Sequence, residues 1–281
     1  NKAEGAAWVW KGASCLRPEY RRCLVDLSPG GGDATVTREF DLDTRRWVEG
    51  GFERALAKGS LSWIDRDSVF VTTDFGPGSM TTSGYPRIVK QWRRGTPMSA
   101  ATTLFEAEPN DLGVWAWRDH TPGFERSFVQ RSIAFYDDEL HVVAPDGSVR
   151  KIGVPNHVRK SVHREWLLLR PREDWTPTLT SFAAPQGGSP ALGRPGGGRS
   201  VGGKTFKGGS LVATRFDDFM RGPSAAPGRS EAADAPPRGA ASASELGGRL
   251  FFGVDGLPML AACMRGDAWF GSGDWEAAGL A

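Results

Sequence analysis

Residues 198–205, GRSVGGKT, carry two reaction-bearing patterns on one stretch. Gly198 to Thr205 satisfies G-x-x-x-x-G-K-[ST], in which backbone N–H groups cradle phosphates and Lys204 and Thr205 would serve nucleotide hydrolysis. Gly198 to Gly202 satisfies G-x-S-x-G, which would make Ser200 the nucleophile of a strand-to-helix elbow. Either chemistry needs a buried strand before the glycines and a helix after them, whose N-terminal N–H groups face the reacting anion. Here the preceding segment is rich in Gly and Pro, and the following one, FKGGSLVATRF, alternates like a strand. Glycine density is the better explanation of both matches.

A second glycine-rich stretch, TDFGPGSMTTSGYPR at residues 73–87, fits G-x-S-x-G at neither Ser79 nor Ser83. Its Gly, Pro, Ser and Thr suit a long turn between strands SVFVTT and RIVKQW. The functional alternative is a peptide-contacting loop over residues 74–86, since loops on rigid scaffolds carry binding. The four histidines, His120, His141, His157 and His163, show neither zinc nor triad spacing. His141 reads as a polar residue on an alternating strand, and Asp137, Asp138 and Glu139 read as a solvated turn. No catalytic residue, metal ligand or cofactor-binding residue is assigned, and no cofactor is expected.

The elements that would hold any such residues repeat. Aromatic openers recur as AWVWKG at Trp10, LSWIDR at Trp63 and VWAWRD at Trp117, with separations of 53 and 54 residues (63 − 10 and 117 − 63). Each opener is followed by alternating segments separated by turn signals, the pattern of an antiparallel meander. In the first, RRCLVDLS places Cys23, Val25 and Leu27 on one face. ATVTREFDL then places Ala34, Val36, Phe40 and Leu42 on one face and Thr35, Thr37, Glu39 and Asp41 on the other. In the third, SFVQRSIAFY and LHVVAPDGSV are strands, with Asp146-Gly147 as a hairpin turn. The tryptophans read as packing anchors.

These units predict an all-β fold, an incomplete β-propeller of about four four-stranded antiparallel blades, with a β-sandwich of coincidental spacing as the competitor. The expected units are residues 1–58, 59–109, 110–156 and 157–222. The fourth is interrupted by a flexible insertion at 177–200. Residues 223–281 read as a low-complexity linker and a tail that matches no blade.

With 35 Lys and Arg against 33 Asp and Glu, the net charge of +2 gives no footprint for nucleic acid or an anionic membrane. Cys15, Cys23 and Cys263 are too few and scattered for a disulfide framework, and their odd number fits a reducing compartment, so the cytoplasm is the expected location. The chain opens on Asn1 rather than Met, which reads as a fragment or a processed product.

Longer strings carry a resemblance. WVWKGASCLRPEYRRCLVDLSPGGGDATVTREFDLDTRRWVEGGF, LSWIDRDSVFVTTDFGPGSMTTSGYPRIVKQWRRGT and HREWLLLRPREDWT, continued by VGGKTFKGGSLVATRFDDFMRG, resemble the N-terminal β-propeller of the prolyl oligopeptidase family of serine peptidases. The resemblance implies a seven-bladed propeller capping an α/β-hydrolase domain with a Ser, Asp, His triad, the propeller admitting only short peptides. It covers residues 8–176 and 201–222, and no position matches the family's nucleophile, acid or histidine. It implies a propeller portion that is inactive alone, with short peptides as partners of the parent enzyme. Further expected partners are the missing hydrolase domain, or other copies bound through open blade edges.

Overall fold

The computed structural model describes residues 7–177, 205–221, 250–252 and 258–260. Ser200 and Lys204, most of the insertion, the linker at 223–244 and Cys263 lie outside the described residues. Two compact units divide the chain, Asn1–Ile152 and Gly153–Ala281.

The first unit holds three antiparallel sheets. Strands β1 (Trp8–Cys15), β2 (Arg22–Pro29) and β3 (Thr35–Asp41) form the first, and its outer strand is broken into β4 (Arg46–Trp47) and β5 (Glu53–Ala57), both paired to β3. The second runs β6 (Ser60–Asp65), β7 (Ser68–Thr72), β8 (Ile88–Arg93) and β9 (Thr102–Glu106) in chain order. The third runs β10 (Gly113–Asp119), β11 (Arg126–Ser132), β12 (Asp138–Val143) and β13 (Val149–Lys151). Its last hairpin turns at Asp146-Gly147 as expected, with Gly147 at φ 83° and the Ser148 N–H donating to Asp146 Oδ1 at 2.9 Å. Gly59 carries the chain from β5 to β6 at φ 146°, and a Cβ there would lie 2.0 Å from the Thr72 carbonyl oxygen, so only glycine fits.

The second unit contains β14 (Val158–His163), β15 (Trp166–Pro171) and β16 (Val212–Arg215) as one antiparallel sheet, followed by the short helix α1 (Phe216–Arg221). This sheet has three described strands where four are expected. Within the otherwise unassigned tail, β17 (Leu250–Phe252) pairs with β18 (Pro258–Leu260). Among the described residues no helix is long and apolar enough to cross a membrane.

Successive sheets of the first unit pack through shared apolar clusters. Leu24 and Phe52 of the first meet Leu61, Trp63, Val69, Val71 and Trp92 of the second, with Phe52 edge-on to both tryptophans at 5.8 and 5.1 Å between centroids. Phe70 and Val89 of the second meet Val114, Ala116 and Val129 of the third. Polar links cross the same seams: Trp63 Nε1 donates to the Ser14 carbonyl at 2.9 Å, and His120 Nε2 lies 3.2 Å from the Trp63 carbonyl. Trp63 is thus the anchor its position in the repeat predicts. Trp10 is not; it is 62% exposed on β1.

The polar face of β3 is buried as well. Thr35, Thr37 and Glu39 are all buried, since Arg54 of β5 and Arg94 of the second sheet reach over them. Arg54, itself 1% exposed, donates through Nη2 to Thr35 Oγ1 at 2.6 Å and Thr37 Oγ1 at 3.1 Å, and through Nη1 to the Ala57 carbonyl at 2.8 Å. Thr37 in turn donates to Asp26 Oδ1 at 2.5 Å, while burial pushes the Asp26 carboxyl above its ordinary range. Leu42, expected inside, is exposed at the turn.

Glu39 is the centre of the first seam. Its carboxylate accepts the Phe52 N–H at 2.9 Å and both Nη groups of Arg94 at 2.8 and 3.1 Å, and Arg94 lies over the Phe52 ring at 4.4 Å. The side chain of Glu39 is 1% exposed, so the paired guanidinium is what makes its charge tolerable there.

Asp137 closes a turn as expected, but Asp138 and Glu139 do not belong to it. Asp138 and Glu139 begin β12, and Glu139 is held by Lys151 Nζ at 2.5 Å and Arg131 Nη1 at 3.5 Å, with His141 Nε2 at 3.7 Å. Burial alone would raise the Glu139 carboxyl, but Lys151 and Arg131 outweigh it and hold it below the ordinary value. The turn lies earlier, at residues 133–137, and leaves Phe135 and Tyr136 exposed where the sequence pattern predicts strand. His141 stacks against Phe105 with centroids 4.8 Å apart, and burial pushes its imidazole down to about 4.

Two outcomes follow from this packing. Replacement of Glu39 by Ala takes the carboxylate from Arg94 and from the Phe52 N–H and lowers unfolding free energy by about 3 kcal/mol in urea denaturation, part of which returns when Arg94→Met is added. For His141, the unfolded chain takes up a proton as pH falls below 6.5, while the folded chain does so only near 4. The folded state is therefore favoured fully above pH 6.5 and loses that advantage on acidification towards pH 4. Between pH 7 and 4.5 the parent should lose roughly 2 kcal/mol more than His141→Leu, measured by denaturant midpoints at both pH values.

Candidate functional site

The stretch at residues 73–87 is an ordered loop between β7 and β8 that builds its own base. Asp74 Oδ1 accepts the Gly76 N–H at 2.8 Å and lies 3.0 Å from Ser79 Oγ, which accepts the Phe75 N–H at 2.8 Å. Further along, Thr81 donates its N–H to the Tyr85 carbonyl at 2.7 Å and accepts the Tyr85 N–H on its hydroxyl at 3.2 Å. Gly76, Gly78 and Gly84 have φ of 108°, 80° and 74°, which explains the glycine density of this stretch. Arg87 clamps the exit, donating through Nε to the Gly78 carbonyl at 2.5 Å and through Nη1 to the Ala107 carbonyl at 2.9 Å. Two further bonds attach the loop to the third sheet and its approach: Thr82 N–H to the Pro109 carbonyl at 2.8 Å, and Val114 N–H to the Pro86 carbonyl at 3.0 Å.

The base is buried at Thr73, Ser79 and Thr81, while Pro77, Gly78, Thr82, Ser83 and Tyr85 form an exposed rim. Lys58 Nζ lies 4.3 Å from the Tyr85 ring centroid, and Lys90 Nζ lies 4.4 Å from that of Phe75. The rim therefore presents a cation and an aromatic ring on a backbone whose polar groups are engaged below. That arrangement can hold an extended polar chain. The Ser79 hydroxyl is turned into the loop, 2.7 Å from the Gly76 carbonyl and 3.0 Å from Asp74 Oδ1.

The histidines are dispersed. His120 binds a backbone carbonyl on the seam between the second and third sheets, and burial holds its imidazole below the ordinary value. His141 sits beside Glu139 on β12, His157 precedes β14 and His163 ends it. Among the described residues no group of three or more His, Cys, Asp or Glu side chains is placed to hold a metal ion. Thr205 lies on the short approach to β16, its hydroxyl 2.7 Å from that of Thr176, and no helix follows it until Phe216. The phosphate-loop context is therefore missing at the one residue of that pattern which is described.

Two features escape the sequence reading. Cys15 and Cys23 face each other across β1 and β2 and form a disulfide, which removes the cysteine argument for a reducing compartment. The signal was present, since both cysteines lie at the ends of segments that read as adjacent strands. An open hollow of about 520 Å³ lies at the turn after β3, lined by Arg22, Asp41, Thr44, Arg46, Trp47 and Glu49 among others. Arg22 there is engaged with Asp41 at 3.1 Å, and Trp47 packs edge-on to Phe40, so the hollow is a by-product of the DTRRW turn.

No family model matches the chain. An uncharacterized peptidase of Sinorhizobium fredii is 32% identical over 183 residues, 63% of this chain and 25% of its own length. An uncharacterized peptidase of Rickettsia prowazekii is 23% identical over 235 residues, 79% of this chain and 29% of its own. The solved structure of a post-proline cleaving enzyme from Rickettsia typhi superposes with a TM-score of 0.63 at 23% identity, over 78% of this chain and 30% of that one. The chain thus spans a quarter to a third of the length of the proteins it matches. Its antiparallel sheets share the fold of a part of that post-proline cleaving enzyme, and its sequence is similar to part of two peptidases.

Proposed function

We propose that this chain is the substrate-gating propeller portion of a prolyl oligopeptidase-like serine endopeptidase, and that it does not cleave peptides by itself. The observation that carries the reading is the likeness over 63% of the chain to a peptidase four times as long as the matched stretch, together with a fold shared with a post-proline cleaving enzyme. The ordered hydroxyls support it as well: Ser79 is bound to Asp74 and Thr37 to Asp26, and neither meets an imidazole. In this reading short peptides are the ligands of the whole enzyme, and an α/β-hydrolase portion is the partner that supplies catalysis. The open edges of the sheets are the surfaces through which copies of the chain alone would associate.

A second reading, a peptide-binding module that acts alone, is favoured by one feature: the exposed rim of the 73–87 loop on its hydrogen-bonded base. The two readings separate by experiment. The purified chain, given a proline-containing chromogenic peptide, should show no turnover above buffer; release of chromophore that a serine-directed inhibitor abolishes refutes the gating reading. If the loop binds peptides unaided, calorimetry with the same peptide gives a measurable affinity. Tyr85→Ala then weakens it about tenfold, roughly 1.4 kcal/mol, with the melting temperature unchanged. Heats no larger than dilution for the parent chain dismiss the second reading.

A further inference from the structure

The Cys15–Cys23 disulfide closes the end of the β1–β2 ladder, where the two residues are register partners. The residue before it, Ser14, offers its carbonyl to Trp63 Nε1 of the second sheet at 2.9 Å. The residue after it, Leu16, packs against the Phe52, Trp63 and Trp92 cluster. The bond therefore pins the short length of β1 on which the seam between the first two sheets closes. Its two residues are unequally exposed, since Cys23 is 2% exposed and Cys15 only half-buried.

We propose that this disulfide is a redox-sensitive clasp: a cellular or added thiol opens it, and opening loosens the anchorage of Trp63. The thiolate of the reductant attacks the sulfur of Cys15, the more exposed residue, and the Cys15–Cys23 bond breaks. Cys23 leaves as a thiolate and takes a proton from water. A second thiol of the reductant then displaces the mixed disulfide, so Cys15 regains its thiol. The two cysteines gain two electrons while two reductant thiols become one disulfide. After reduction the β1–β2 register still returns the two cysteines to opposite positions whenever the loosened strand end closes, so an oxidant re-forms the same pair. The clasp concerns this chain's own stability and does not depend on the gating reading.

The test uses the full chain with Cys263→Ser, so that only this pair exchanges. Before reduction, N-ethylmaleimide should label neither Cys15 nor Cys23; after dithiothreitol it should label Cys15 faster than Cys23. Reduction should lower the melting temperature by about 5 °C, because a closed loop in the unfolded chain is released. It should also raise deuterium uptake in peptides covering residues 8–16 and 60–65 while leaving 126–143 unchanged. Adding Cys15→Ser should reproduce the reduced behaviour and abolish the response to dithiothreitol. The proposal falls if both cysteines label before reduction, if reduction moves neither melting nor uptake at 60–65, or if the Cys15→Ser chain still responds. Should that variant fail to fold, the labelling and exchange of the parent chain decide alone.

Discussion

A carboxylate with almost no exposure sits in the middle of β3, and the first seam of the molecule is arranged around it. Arg22 approaches Glu39 at 3.6 Å, and Arg94 reaches the same carboxylate from the far end of β8 with both arms of its guanidinium. The same guanidinium donates to the Arg66 carbonyl and covers Phe52, whose N–H completes the carboxylate's partners. One side chain from the second sheet thus fixes the outer strand of the first, closes the turn between β6 and β7, and presses Phe52 against Trp63 and Trp92. Apolar packing supplies most of the burial at this interface, yet it is non-directional. The ion pair is what sets the register of one sheet against the next.

The second seam uses a different device. Apolar residues from β7, β8, β10 and β11 fill it, and the polar work falls to the backbone of the 73–87 loop and to His120. A long connection between adjacent strands would ordinarily be the least ordered part of a sheet. This one is made rigid from inside, because Asp74, Ser79 and Thr81 meet its own amide groups and Arg87 holds its exit. It is then tied to the approach to β10. Structural use of the base leaves the rim free to face outward, so a single loop both joins two sheets and presents an exposed surface.

How much of this could be read from residue types depends on range. Local signals were reliable: the Asp146-Gly147 hairpin, the long turn at 73–87, and the four-strand meanders of the second and third sheets all follow from neighbouring residues. The aromatic period placed Trp63 correctly. It misplaced Trp10, because an aromatic ring on a strand records nothing about which neighbour will cover it. The larger failures are long-range. Alternation at Thr35, Thr37 and Glu39 reads as a solvent face, and only Arg54 and Arg94, 19 and 55 residues from their partners, turn it inward. Asp138 and Glu139 look like a charged turn until Arg131 and Lys151 are brought beside them. Cys15 and Cys23 were dismissed by counting cysteines, although the hairpin joining their two strands brings them together. The sequence assigns no site, and the 73–87 loop reads mainly as a connector, because its exposed rim differs from its buried base only in three dimensions.

The hydroxyls of Ser79 and Thr37 serve structural hydrogen bonds. A serine becomes nucleophilic when a base takes its proton at the moment of attack, with donors waiting for the oxyanion. Ser79 and Thr37 instead lie beside the carboxylates of Asp74 and Asp26, of which the fold has half-buried Asp26 and left Asp74 exposed. A carboxylate in direct contact with a hydroxyl is too weak a base to ionise it, and it occupies the position an imidazole would need. Burial strengthens that assignment at Asp26, since raising the carboxyl's proton affinity makes the Thr37 hydrogen bond more necessary to keep the group charged. These contacts hold strands and loops in place. In a sheet whose polar groups are spent on its own register, what is left to offer a peptide is shape and the exposed rim of a loop.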